Sequence, residues 1–232
     1  MGRSQLDESR YAVAVIVDIS RSRTHPDRRA LQAEVVDVLR DVNGLVPALQ
    51  PLEPTVGDEF QGAYTGLSAA LRATLLVRLR LPDGAECRFG IGLGELRTVG
   101  TGAVGSIQDG SAWWSARRAI GTAREHEYSR LGFVRTWFAT GDSADPEPSA
   151  DAPPAGVPAE HLVNAYLLCR DQMVGAMQPR ARRLLLGQLL ERTQAQLARE
   201  EGISQSAVSQ SLSRSGATAL LASETLILGG AA

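Results

Sequence analysis

Two rhythms of apolar residues run along the first 140 positions of the chain. YAVAVIVD (Tyr11 to Asp18) is apolar and rich in strand formers, which suits a central strand. DRRALQAEVVDVLRDV (Asp27 to Val42) places Leu31, Val35, Val38 and Leu39 at helical spacing after Pro26, a residue suited to a helix start. Strands over Leu49 to Val56 and Glu59 to Tyr64 flank Gly57 and Asp58 as a hairpin. A helix follows from Leu67 to Leu79, a strand from Glu86 to Gly94, a helix from about Gly110 to Glu127, and a strand from Phe133 to Thr140. The order β-α-β-β-α-β-α-β predicts an α+β fold with a ferredoxin-like βαββαβ core: the first strand central, the hairpin beside it, and helices on one face of an antiparallel sheet. Gly90, Gly92 and Gly94 alternate along one strand, so something approaches the sheet closely there. Gly100, Gly102 and Gly105 read as a mobile loop.

The pattern then stops. Residues 141–158 hold five prolines and four acids among small residues, the composition of an exposed linker. It divides the chain into a domain over 1–140 and a helical domain over 159–232. In the latter, Ala159 to Met177 and Pro179 to Glu191 are amphipathic. TQAQLAREEGISQSAVSQSLSRSG (Thr193 to Gly216) has the layout of a helix-turn-helix: a first helix from Gln194 to Glu201, Gly202 where the chain needs a left-handed turn, Ile203 packing inward, and Ser204 capping a second helix. Ala198, Ile203, Val208 and Leu212 fall where two such helices meet. The second helix would turn Gln205, Ser206, Ser209, Gln210 and Ser213 toward base edges in a DNA major groove, with Ser204 at its start and Arg214 and Arg183 on phosphates. A helical hairpin used for protein contacts would carry the same spacing. The apolar tail from Gly216 to Leu228 can pack on the bundle or on a second subunit.

Bulk composition narrows this little. The 232 residues are 44% hydrophobic and 22% charged, with a formal net charge of −2, as in ordinary soluble proteins. Beyond Ala159 seven arginines face six acids, so charge alone does not argue for nucleic acid. No apolar run is long enough for a bilayer span and the first ten residues are too polar for a signal peptide, so a cytoplasmic protein with no membrane partner is expected. Cys87 and Cys169, and the three scattered histidines, lack zinc spacing. All 24 basic residues are arginine.

The stretch TVGDEFQGAY (residues 55 to 64) sets two acids between apolar residues, which is costly unless they sit in a turn, find a partner or hold a cation. In the expected fold Asp18, at the end of the first strand, and Asp58, in the hairpin turn, converge, and two adjacent carboxylates need a neutralising cation. With oxygen ligands and a phosphate-bearing substrate, magnesium is the usual ion. Turn chemistry at Gly57 and Asp58, and a helix cap near Ser20, would account for the same residues without a ligand. Arg117 and Arg118 are either phosphate contacts or a solvated face, while Trp113 and Trp114 fit a core or an interface.

VDIS followed forty positions later by VGDEF resembles the metal-binding pair of class III nucleotide cyclases and GGDEF diguanylate cyclases. RFGIGLGE (Arg88 to Glu95) and VGSIQDGSAWWSARRAI (Val104 to Ile120) resemble further class III segments. With the linker and helix-turn-helix added, the chain is identified as a member of the SatD family. The resemblance implies Asp18, Ile19 and Asp58 as metal ligands for magnesium, and Ser20, Gly57, Glu59, Asp109 and Arg117 as contacts to a purine nucleotide. Departures are equally specific: Trp113 stands where those enzymes carry a transition-state asparagine, Pro54 where they carry a base-contacting lysine, and Val56 in place of the first GGDEF glycine. No catalytic residue is therefore assigned. The expectation is a homodimeric DNA-binding transcriptional regulator whose cyclase-like domain binds a nucleotide without cyclising it. Its alternative is an active cyclase or nucleotidyl-transferring enzyme using Asp18 and Asp58, and a third reading is a scaffold with vestigial sites.

Overall fold

The computed structural model describes residues 10–22, 26–55, 57–102, 105–141 and 159–229, with the backbone alone at 98–102 and 105–108. Strand β1 (Arg10–Ile19) lies between β3 (Glu59–Tyr64) and β4 (Cys87–Gly102), antiparallel to both, and β2 (Gln50–Pro54) pairs with β3 at the sheet edge. The order β2-β3-β1-β4 is the ferredoxin-like arrangement, and the fold is mixed α+β as expected. Strand β6 (Thr136–Thr140) joins β4 in parallel. Past Gly94, β4 continues and folds back as β5 (Gly105–Asp109). The expected loop at Gly100, Gly102 and Gly105 is therefore a hairpin, held by main-chain pairing that glycines do not advertise in a side-chain pattern.

The helices take both faces of the sheet rather than one. Val13, Val15 and Val17 of β1 pack with α1 (Arg28–Asn43) and α2 (Leu67–Arg80) through Leu31, Val35, Leu75 and Leu76. Ala12, Ala14 and Ile16 turn to α3 (Ser111–Glu127) on the opposite side, meeting Ala112, Ala116 and Ile120. The glycine stripe makes this possible. A Cβ at Gly92 would lie 2.1 Å from the Ala116 nitrogen and 2.2 Å from the Ala112 oxygen, so α3 rests its backbone directly on β4. Because strand side chains alternate, the even-numbered β1 residues share this face with Gly90, Gly92 and Gly94.

Beyond the 142–158 segment, which lies outside the described residues, α4 (Glu160–Ala176) runs along the free edge of β6. Glu160 accepts from the Thr140 amide (3.0 Å), Asn164 from the Phe138 amide (2.8 Å), and Asp171 from the amides of Arg135 and Thr136 (2.7 and 2.6 Å). From Glu160 to Asn164 four helical residues rise about 6 Å while Thr140 to Phe138 advances about 6.7 Å, and from Asn164 to Asp171 seven rise about 10.5 Å while Phe138 to Arg135 advances about 10 Å, so one helix stripe keeps step with the strand edge. Asp171, fully buried, also pairs with Arg78 of α2, while Arg170 donates to Leu71, Thr74 and Thr136. Of the remaining helices, α5 (Pro179–Leu189) packs on α2, and α6 (Gln194–Glu201), α7 (Gln205–Arg214) and α8 (Ala217–Ile227) gather around α5, with α8 tied to α4 by the bond from Tyr166 to Glu224, so their leucines belong to the same apolar cluster as β1.

Two substitutions test this packing by urea denaturation. Gly92→Ala is expected to lose about 1–3 kcal/mol by overpacking. Asp171→Ala, which strands Arg78 and two strand amides, is expected to lose about 3–5 kcal/mol.

Candidate functional site

The β1–β3–β4 register sets Asp18 opposite Glu59 on one side and Arg88 on the other, all on the α3 face. The turn before β3 is built by Gly57 in the left-handed region (φ 77°), where glycine costs least, and it brings the Asp58 carbonyl within 3.3 Å of the Ile19 amide. The expected convergence of the two segments is thus present in the backbone. What their side chains do there is another matter.

Asp18 is clamped by Arg88, whose Nε and Nη2 donate to Oδ1 at 3.0 and 2.8 Å and whose Nη2 also reaches Oδ2 at 3.2 Å. Arg88 is itself buried and bonds Glu127 of α3 at 2.8 Å. Burial alone would lower the Arg88 pKa, but the hydrogen bond and charge of Asp18, with Glu127, raise it. Asp58 is held by Arg28, from the first turn of α1, with Nη2 2.6 Å from each oxygen and Nε 3.2 Å from Oδ1, and it accepts the Ser22 hydroxyl at 2.6 Å. Glu59 pairs bidentately with Arg117 of α3 and accepts from Gln61 at 2.9 Å. Burial pushes the Glu59 carboxyl up, yet the Arg117 and Gln61 hydrogen bonds and the Arg117 charge outweigh it, and its pKa falls below the ordinary 4.5.

The other expected contacts divide. Ser20 is buried with its hydroxyl spent on Glu127 (2.6 Å), and Ile19 points into the core. Asp109 caps the Gly110 amide (2.8 Å) and pairs in register with Arg97, nine residues along β4 from Arg88. Nine strand residues span about 30 Å, so within one chain Asp109 does not join the carboxylates. Trp113 packs on the small-residue cluster and Trp114 is exposed.

Magnesium takes near-octahedral oxygen ligation at about 2.0–2.1 Å. Asp58 already accepts four hydrogen bonds, from Arg28 and Ser22, and Asp18 accepts three from Arg88, and among the described residues no group of three or more His, Cys, Asp or Glu is placed to hold a metal ion. As arranged, the residues do not fit the ion. Arg28, Arg88 and Glu127 were missed by sequence reasoning. One signal for Arg88 was available: it alternates with Gly90, Gly92 and Gly94 along one strand face, where a charge requires a partner.

At the other end of the molecule, α6 and α7 are joined through Gly202 in the left-handed conformation (φ 66°), Ile203 and Ser204. Thr193 and Gln196 form a capping box on α6, and Ser204 caps α7 at the Ala207 amide. Ala198, Val208 and Leu212 are buried between them, while Ser204, Gln205, Ser206, Ser209, Gln210 and Arg214 are all exposed. Arg183 is exposed but bound bidentately to Glu201 (2.7 and 2.8 Å). No described helix is long and apolar enough to cross a membrane.

A SatD family model matches residues 12–143, more than half of the chain, and the chain belongs to the SatD family. No curated protein matches it in sequence. Among solved structures it is similar to a bacterial light-regulated adenylyl cyclase (14% identity, 53% of this chain and 74% of that one, TM-score 0.44). It is also similar to the guanylyl cyclase Cya2 (13%, 51% and 73%, 0.41) and to the adenylyl cyclase CyaB from P. aeruginosa (15%, 48% and 72%, 0.39).

The lowered Glu59 pKa carries a pH dependence. A depressed folded-state value means that the Arg117 pair stabilises the fold above the ordinary 4.5 and is lost as pH falls through the lower value. The melting temperature of wild type relative to Glu59→Gln is expected to be constant between about pH 7 and 5 and to converge in more acid solution.

Proposed function

We propose that the chain is a dimeric, cytoplasmic DNA-binding transcriptional regulator in which α6 and α7 form a helix-turn-helix and the sheet domain senses a purine nucleotide without cyclising it. The observation that carries this reading is the exposed surface of α7 and its cap: Ser206, Gln210, Ser213 and Arg214 lie on the side away from the buried Val208 and Leu212, and Ser204, Gln205 and Ser209 are exposed as well. Side chains of this kind reach base edges when a helix enters the major groove. Arg214 and the exposed Arg199 would then lie against phosphates, and Arg183 would first have to leave Glu201. Two half-sites read by a two-fold pair is the usual arrangement for this motif. The edge bonding of α4 to β6 supports communication between the two regions, since a ligand that shifts the sheet also shifts the helices packed on it.

The catalytic alternative has less behind it. Cyclisation needs Asp18 and Asp58 free to hold cations, and both are clamped by arginines. Trp113, at the position of the missing asparagine, packs against alanines instead of facing a substrate.

Selection of bound duplexes from a random library, followed by fluorescence anisotropy, tests the reading. One enriched sequence is expected. Arg214→Ala is expected to lower the slope of log affinity against log salt by about 1, whereas Gln205→Ala changes the preferred base at one position. An affinity without sequence preference, unaltered by either substitution, would sink the proposal. Adding ATP or GTP to the same assay reads the sensor function separately.

A further inference from the structure

The misfit between the acids and a metal ion has a positive counterpart. We infer that Asp18 and Asp58 are neutralised within the chain by Arg88 and Arg28, so that the site keeps its charge balance without a divalent cation, with Arg28 as the removable cover over Asp58. The inference deepens the sensor site proposed above and rests on that reading only for the identity of its ligand.

Donor counting carries the first half. Two carboxylate oxygens offer about four lone-pair positions, and Asp58 receives two bonds from Arg28 Nη2, one from Arg28 Nε and one from the Ser22 hydroxyl. Asp18 accepts three from Arg88. Glu59 is held by Arg117, and Glu127, which shares Arg88 with Asp18, also faces Arg21 and Arg135 at 3.8 and 3.9 Å, so each of the four acids meets at least one guanidinium. A guanidinium does not deprotonate in proteins and its fork matches a carboxylate edge to edge. In a chain whose basic residues are all arginine, these countercharges are permanent.

Exposure separates the two clamps. The Arg88 side chain is 6% exposed and anchored a second time by Glu127, so it belongs to the core. The Arg28 side chain, in the first turn of α1, is 51% exposed, and its ion pair among the described residues is with Asp58. Arg28 covers, from the solvent side, an Asp58 side chain that is itself 17% exposed, so Arg28 is the member that an arriving anionic group can draw away. A bare cation is instead repelled by the guanidinium that covers its ligand.

Free Mn2+ counted by electron paramagnetic resonance at pH 7 tests this without nucleotide or DNA, so failure of the regulator reading leaves the result intact. Wild type is expected to leave Mn2+ free at millimolar concentration. Arg28→Ala is expected to bind one ion per chain at least about tenfold more tightly, and Arg28→Ala with Asp58→Asn to lose that gain. The melting temperature of Arg28→Ala should stay near that of wild type, because the side chain is exposed. Tight Mn2+ binding by wild type that Asp58→Asn removes would overturn the inference, as would a folded Arg28→Ala protein that gains nothing.

Discussion

The contact between α4 and the outer edge of β6 holds the molecule together as one body. A strand edge presents unpaired amides that invite another strand, and here three side chains of a single helix, Glu160, Asn164 and Asp171, occupy them in sequence. Asn164 does so reciprocally, donating to the Phe138 carbonyl as well as accepting from its amide. The same stripe ends at Asp171, whose second task is to neutralise Arg78 in the interior. Removing polar atoms from water is tolerable only when each finds a partner, and this geometry supplies them. The helices that follow are thereby seated on the sheet whatever path residues 142–158 take.

Small residues do comparable work on the other face. Gly90, Gly92 and Gly94 let α3 lie against β4 closely enough to deliver Arg117 to Glu59 and Glu127 to Arg88. A bulkier stripe would lift the helix and leave Asp18, Glu59 and Arg88 without the charges that balance them. The candidate site is therefore a product of close packing as much as of its own acids, with Asp58 paired to Arg28, Asp18 to Arg88 and Glu59 to Arg117.

Much of this was legible in the order of residues. The strand and helix periods, the hairpin around Gly57, the ferredoxin-like order and the capped turn at Gly202 and Ser204 each follow from local chemistry: φ/ψ needs, capping and alternation act within a few positions. The glycine stripe announced a close approach. It did not say which element approaches, and so the helices were expected on one face. The β4–β5 hairpin was hidden because backbone pairing between glycines leaves no apolar period to read.

Sequence alone determined which segments are strands and helices, that Asp18 and Asp58 lie at neighbouring strand ends, and that α7 would show a polar face opposite an apolar one. Tertiary structure decided which countercharge each acid receives. Arg28, Arg88 and Arg117 stand 30, 70 and 58 positions from their partners, and no local rule selects among 24 identical basic residues. The choice is made by strand register and by the depth at which α3 settles, quantities that exist only once the chain has packed.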